Sequence, residues 1–385
     1  MTSLNKKWIP KSVLCLRAGY TRQDLTSDLI AGVTVGLVAL PLAMAFGIAS
    51  GVTPQAGIYT AVVAGFLISA LGGSRLQIGG PTGAFVVIVA GIITAHGVSG
   101  LLMVTIMAGV ILMLMAVTGL GTAVKYIPRP VTIGFTNGIA ILIASTQIKD
   151  FLGLETGAVP SEFLLRMRLL ANGLGTIQWP ALLIGVSSLL IILLLPRLTK
   201  RIPGSIVALV LATLAVAVFG LPVETIGSKF GGIPTGLPHF SLPQVRPDLI
   251  VPLLPAAVTV AMLAAIESLL SAVVADSMSG DRHNSNVELL AQGVANLAVP
   301  FVGGIPATGA IARTATNIKS GARTPVSGMV HALTLIVILL VAAPASRFWT
   351  AKVGCATCHG NGRHDSINAV HVIIFAALSL LHLLT

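Results

Sequence analysis

Gly79-Gly80-Pro81-Thr82-Gly83 and Gly303-Gly304-Ile305-Pro306-Ala307-Thr308-Gly309 decide the fold. Each stretch lies just ahead of the third apolar run in its own half of the chain. Gly and Pro interrupt a membrane helix, and interruptions at corresponding positions of two halves point to a binding site near the bilayer midplane. Small residues also serve close helix packing, which is the better reading of a single copy. The duplicated placement favours a site.

The surroundings of these breaks are apolar. Of 385 residues 55% are hydrophobic and 9% charged, with a mean hydropathy of +0.96, whereas soluble domains carry about 25% charged residues. An all-α polytopic membrane protein follows. Apolar runs at 29–50, 101–117, 177–195, 202–220, 249–274 and 325–343 approach or exceed the ~20 residues that cross hydrocarbon. Gly-interrupted stretches at 55–71, 82–95, 131–147, 287–302 and 308–320 bring the total to about eleven elements in one transmembrane domain, 29–345.

The first run is too long for a signal-sequence core, so residues 1–28 are expected to form a cytoplasmic N-terminal segment. Lys6, Lys7, Lys11, Arg17 and Arg22 lie there, and alternate loops carry Arg75, Lys125 with Arg129, Arg197 with Lys200 and Arg201, Arg282, and Lys319 with Arg323. The opposite loops hold only Lys149, Arg166, Arg168, Lys229 and Arg246. The positive-inside rule then threads the chain with the N-terminus in the cytoplasm, as in a bacterial inner membrane. A net charge of +11 spread along one membrane surface is no nucleic-acid footprint, which needs a clustered basic patch. Three cysteines, at 15, 355 and 358, build no disulfide framework.

A helix that starts in mid-membrane presents unpaired backbone N–H groups and the positive end of its dipole, a ready anion site. If the halves are inverted repeats, helices beginning near Thr82 and Thr308 aim at one point. Gly83 and Gly309 admit a ligand to the backbone, and the two threonines offer hydroxyl donors. Glu267 is read as the only carboxylate well inside an apolar span, and such a residue is functional by default. It is the candidate carrier of a coupling proton or sodium ion. Ser271, at i+4 on the same helical face, is placed to share that site. Arg313, one turn into the second broken helix, either adds positive potential to the site or snorkels to the cytoplasmic edge. His96, His239, His283 and His331 have no ligand partner at metal spacing, so no metal, catalytic group or cofactor is expected, and the chain is not read as an enzyme.

Four segments resemble the sulfate permease (SulP) family of secondary anion transporters. They are Asp28-Leu29-Ile30-Ala31-Gly32-Val33 leading to Leu40-Pro41-Leu42-Ala43-Met44-Ala45-Phe46; Ile58-Tyr59 through Gly72-Gly73-Ser74-Arg75; Gly80-Pro81-Thr82-Gly83; and the block from Glu267-Ser268-Leu269-Leu270 to Arg323-Thr324-Pro325. The last block includes Asn284-Ser285-Asn286-Val287-Glu288-Leu289 with Gln292 and Asn296. The resemblance implies a seven-plus-seven inverted-repeat fold divided into core and gate domains, and transport of sulfate, bicarbonate or a dicarboxylate. It places the anion between the third and tenth helices, at Thr82, Gly83, Thr308, Gly309 and Ala310, with Arg313 beside them. The first helix closes that pocket through Ala39, Leu42 and Phe46. Sodium-coupled bicarbonate members carry Asp and Thr where this chain has Glu267 and Ser271, so protons are the favoured coupling ion and sodium the alternative. Family members commonly form homodimers.

Such a protein is expected to continue through three more helices and a STAS domain, whereas this chain ends at Thr385. From 346 the composition also changes, and four of eight histidines fall in the last 27 residues. A truncated or frameshifted second repeat is the expectation for this tail, 346–385. The competing reading of Cys355-Ala356-Thr357-Cys358-His359 is a c-type haem attachment site on a membrane-anchored electron carrier. A nucleobase-type symporter of the same architecture is the other alternative. It expects a second carboxylate on the tenth helix, where Ala310 and Arg313 stand.

Overall fold

The computed structural model describes residues 8–122, 129–157, 160, 162–198, 204–219, 238, 240–244 and 246–354. They fall into two compact units, Met1–Thr132 with Leu237–Val337, and Ile133–Gly236 with Ile338–Thr385. The first unit is built from two matching sets of elements.

The first set begins with a short helix α1 (Lys11–Arg17) and continues through α2 (Arg22–Ala49), α3 (Pro54–Leu71), a two-residue strand β1 (Gly79–Gly80) and α4 (Val86–Val117). Thr21 starts α2 with a capping box: its hydroxyl accepts the Asp24 N–H at 3.2 Å, and Asp24 Oδ2 accepts the Thr21 N–H at 3.1 Å. Pro54 opens α3, where its missing N–H costs nothing. A 3-10 turn at Gly83–Phe85 leads into α4, which breaks at Gly97 (φ 71°, ψ −177°). The runs expected at 82–95 and 101–117 are therefore the two arms of this broken helix.

The second set is α9 (Ile250–Ser279), α10 (Ser285–Ala298), β2 (Thr308–Gly309), α11 (Ile311–Lys319) and α12 (Val326–Gly354). Gly280, left-handed at φ 73°, ends α9. The Asn284 side chain then accepts the Asn286 and Val287 N–H groups at 3.2 and 3.3 Å to start α10. The two sets interlock where α4 crosses α10, through facing glycines. A Cβ on Gly109 would stand 2.9 Å from the Gly293 carbonyl oxygen, and one on Gly293 would stand 2.8 Å from that of Gly109. Side chains larger than hydrogen are excluded from such a crossing.

The second unit takes most of α5 (Arg129–Leu152), with α6 (Phe163–Asn172), α7 (Trp179–Leu198) and α8 (Gly204–Phe219). The sequence pattern did not announce α6. Its Arg166, assigned above to a loop, is buried, donating from Nη1 to Ser145 Oγ at 2.9 Å and from Nε to the Pro160 carbonyl at 3.1 Å.

Among the described residues four segments are long and apolar enough to cross a membrane: Arg22–Ala49, Pro54–Leu71, Gly83–Val117 and Pro247–Ser279. Their outer faces are apolar too; Leu29, Ile30, Val33 and Leu37 on α2 are all exposed. In hydrocarbon such a face needs no cover.

Glu267 is read from the sequence as the only carboxylate well inside an apolar span; two further carboxylates, outside the middle of any such span, are fully buried. Asp28 on α2 accepts the Arg323 and Thr324 N–H groups at 2.7 and 3.0 Å, with the Thr324 and Tyr20 hydroxyls at 2.5 and 3.1 Å. Glu288 on α10 accepts the Gly73 and Ser74 N–H groups at 2.9 and 3.0 Å. Each belongs to one set and binds backbone of the other. Both stand at the edge of an apolar run, and backbone N–H partners leave no mark on a sequence.

Candidate functional site

The two Gly-Pro breaks meet. β1 and β2 pair antiparallel, Gly79 opposite Gly309 and Gly80 opposite Thr308, and the Ala310 N–H extends the pairing to the Ile78 carbonyl at 2.8 Å. Equivalent segments that cross antiparallel are what two repeats of opposite direction require. Helix α11 leaves the crossing directly after Ala310, and α4 leaves it through the 3-10 turn at Gly83–Phe85. Neither helix start has a side-chain cap; the 3-10 turn pairs the Phe85 and Val86 N–H groups with the Thr82 and Gly83 carbonyls, so the uncapped N–H groups are those at the head of that turn and in the first turn of α11.

Three side chains converge on this crossing. Thr82 donates its hydroxyl to Glu267 Oε2 at 2.8 Å. Arg313 is 3% exposed, which excludes the snorkelling alternative. Its Nη2 donates to the Pro81 carbonyl, while Nη1 has no hydrogen-bond partner among the described residues. Glu267, half-buried on α9, is close enough to Arg313 for the charges to interact.

Two glycines make room for this arrangement. At Gly80 a Cβ would stand 2.5 Å from Arg313 Nη1, and the backbone has φ 151°, so a side chain is excluded both by the guanidinium and by the conformation. At Gly309 a Cβ would stand 1.7 Å from Gln77 Nε2. The glycines of the repeated signature are thus explained by neighbouring side chains as well as by access to the backbone.

Thr82, Gly83, Thr308, Gly309, Ala310 and Arg313 all lie at or next to the crossing. The Thr308 hydroxyl, however, donates to the Ala264 carbonyl at 2.9 Å in a fully buried setting, which leaves backbone as the polar surface of the second break. Ser271 is also fully buried, its hydroxyl 3.0 Å from that of Thr314, which in turn accepts the Ile78 N–H at 3.0 Å. Phe46 is buried near the end of α2. The sequence reading missed Pro81 as an acceptor, Gln77 and Thr314. Gln77 and Thr314 belong to no repeated motif, and although Pro81 does, only tertiary structure shows its carbonyl to be the acceptor for Arg313.

Cys355, Cys358 and His359, the haem-motif residues, lie outside the described residues, as do His239 and the tail from 355 onward.

Paired discontinuous helices crossing through two antiparallel two-residue strands define an integral, multi-pass membrane protein with the inverted-repeat transporter fold. The sulfate permease family model matches residues 25–351. The chain is 51% identical over 327 residues to the putative sulfate transporter YvdB of Bacillus subtilis, covering 85% of this chain and 62% of that protein. It is 36% identical over 335 residues to the bicarbonate transporter BicA of a Picosynechococcus strain, covering 83% and 58%. The transmembrane domain of a cyanobacterial BicA superposes with a TM-score of 0.79 at 32% identity, over 95% of this chain and 90% of that one. Murine Slc26a9 shares the fold, with a TM-score of 0.80 at 15% identity, over 99% and 64%. The protein belongs to the sulfate permease family. It spans about three fifths of the length of the curated relatives it matches.

Proposed function

We propose that the protein carries out secondary active transport of a small anion of the sulfate or bicarbonate kind, held at the β1–β2 crossing between the starts of α4 and α11. The observation that carries this reading is Arg313: a guanidinium buried at the crossing with one amine bound to Pro81 and the other without a hydrogen-bond partner among the described residues. Two helix starts and a guanidinium attract an anion through charge rather than identity, so sulfate, bicarbonate and small dicarboxylates all remain within reach. Two relatives bear the names of sulfate and bicarbonate transporters. A cation at 313, where a nucleobase symporter expects a carboxylate, supports the anion reading. The unit that holds the crossing acts as the core and the other as the gate, within a transporter domain of 29–345, and residues 1–28 stay cytoplasmic.

Coupling runs through Glu267. When it is ionised, Thr82 donates to it at the head of the 3-10 turn that leads into α4, and its negative charge opposes an incoming anion. Protonation removes that charge and releases the Thr82 hydroxyl, so proton and anion favour each other's binding. The test is uptake of labelled sulfate and of bicarbonate into proteoliposomes under an imposed proton gradient and, separately, a sodium gradient. Glu267→Gln is expected to abolish gradient-driven accumulation. Wild-type accumulation by that variant under the proton gradient removes the proton role, and accumulation that follows only the sodium gradient transfers it to sodium.

A further inference from the structure

We propose that Glu288 is a second proton-binding site of the core, linked through Ser268 and Gln77 to Gly309 at the half-helix crossing. The proposal does not depend on coupling through Glu267.

Glu288, Ser268 and Gln77 are all buried, Glu288 and Ser268 completely. They form one chain of hydrogen bonds. Gln77 Nε2 donates to Ser268 Oγ at 3.1 Å, and Ser268 Oγ to Glu288 Oε1 at 3.4 Å. Gln292 Nε2 also donates to Oε1, at 3.0 Å, while Oε2 accepts the Gly73 and Ser74 N–H groups. At the far end Gln77 lies beside Gly309, where a Cβ would stand 1.7 Å from Gln77 Nε2 and 3.1 Å from the Ser268 Cα.

Every donor to Glu288 is a neutral group. The elements packed around it offer little charge. In α3 and α4 the only titratable side chains are Tyr59 and the exposed His96. Arg75, in the α3–β1 turn, turns its Nε to the Arg323 carbonyl at 2.6 Å. On α9 the hydrogen-bonding neighbour is Ser268, and that helix also carries Glu267 and Asp276. Lys11, whose backbone N–H meets the Gly72 carbonyl, turns its ammonium to Asp281. His283 is a titratable group whose charge reaches Glu288, and it is held by Asp276 at 2.6 Å. A buried carboxylate without a cation is costly, and taking up a proton relieves that cost.

The chain can accommodate the proton. Gln77 Oε1 is buried and has no hydrogen-bond partner among the described residues, so the relay has a spare acceptor at its end. With a proton on Glu288 Oε1, the carboxyl O–H donates to Ser268 Oγ, the serine O–H turns to donate onward, and the Gln77 amide rotates to receive it through Oε1. Gln292 still donates to Oε1, and both backbone N–H groups still donate to Oε2. One amide rotation and one hydroxyl rotation convert the ionised arrangement into the protonated one, and the O and N ends of an amide are interchangeable in shape. Because that amide lies against Gly309, proton uptake at the α3–β1 turn changes which atom faces β2.

Infrared difference spectroscopy of the full chain in nanodiscs at neutral pH tests this, through the C=O band of a protonated carboxyl. The band is expected in the wild type, to persist in Glu267→Gln, to vanish in Glu288→Gln, and to move towards the position of a free carboxyl in Ser268→Ala. Glu288→Gln copies a neutral carboxyl and should keep the wild-type melting temperature. A band that vanishes in Glu267→Gln, or that neither Glu288→Gln nor Ser268→Ala alters, overturns the proposal and leaves Glu288 as an ionised anchor for the α3–β1 turn. The Glu267→Gln and Ser268→Ala arms decide the matter even if Glu288→Gln fails to fold.

Discussion

Under the proposed function Arg313 has two tasks that are separable at the level of one side chain. Its Nη2 ties α11 to the Pro81 carbonyl in the opposite break, and its Nη1, without a hydrogen-bond partner among the described residues, is the atom that would meet the anion. A lysine ammonium is a compact point charge on a flexible stem and cannot keep the planar fork that serves both directions. Arg313→Lys is therefore expected to raise the apparent KM for anion uptake about tenfold, equivalent to ~1.4 kcal/mol, while retaining a folded protein. Arg313→Gln, without the charge, should lose saturable uptake altogether. An unchanged KM in Arg313→Lys would show that the guanidinium only ties the two breaks together. The neighbouring Gly80 makes the same point from the other side, because the space a side chain would fill there is occupied by the guanidinium.

At the scale of elements, the positions of the spans were legible in the sequence, and their interruptions more so. Long apolar runs fix helices such as α7, α8 and α9 by composition alone. The repeated Gly-Pro signature marks β1 and β2 because only a broken helix needs it. The antiparallel pairing of those strands, the helix α6 and the partners of Asp28 and Glu288 were not legible, since each depends on backbone groups brought together by tertiary folding. Glu267 stood out because it lies in mid-run, whereas Asp28 and Glu288 sit at run edges where charge is unremarkable. Helix α1 is a further case. It is pinned by the Lys11 ammonium, 3.0 and 2.9 Å from the two carboxylate oxygens of Asp281, by the Lys11 N–H on the Gly72 carbonyl at 3.0 Å, and by Ser12 Oγ on the Ala70 carbonyl at 2.5 Å. Burial pushes the Asp281 carboxyl up, but Lys11 and the Arg282 N–H hold it below its ordinary value. A depressed folded-state value means that the contribution is present above the unfolded carboxyl's range and is lost as pH falls through the folded one. Acidification below the carboxylate range, or Asp281→Asn at neutral pH, should thus loosen α1. Faster hydrogen exchange of residues 13–17 should report it, with a loss of global stability of at most ~1 kcal/mol because the pair is partly solvated. Exchange that is the same in Asp281→Asn as in the wild type would assign the pinning to the two backbone contacts alone.

For the whole molecule, the charge asymmetry of the loops and the direction of the helices make one joint statement about threading. The turn after α9 carries Asp281 and Arg282 and binds α1, so the N-terminal segment and the α9–α10 loop share one face. The end of α11, with Lys319, and the loop after it, with Arg323, join that face through the Asp28 and Asp24 contacts of Arg323. From this face α2 and α3 make one excursion, β1 returns to the crossing, and the first arm of α4 continues away from it to the break at Gly97. His96 and Gly97, both exposed, should therefore lie on the opposite side of the membrane from Arg282. We propose from the positive-inside rule that the Arg282 face is the cytoplasmic one. In a background with Cys15, Cys355 and Cys358 replaced by serine, His96→Cys in intact bacterial cells should react with an impermeant maleimide. Arg282→Cys should react only after the membrane is opened. Labelling of both from the outside would break the threading, and with it the inverted relation of the two sets. Labelling in the reverse order would keep the relation and invert the protein. The result also bears on transport, since it fixes which membrane face the Glu288 end of the proposed relay addresses.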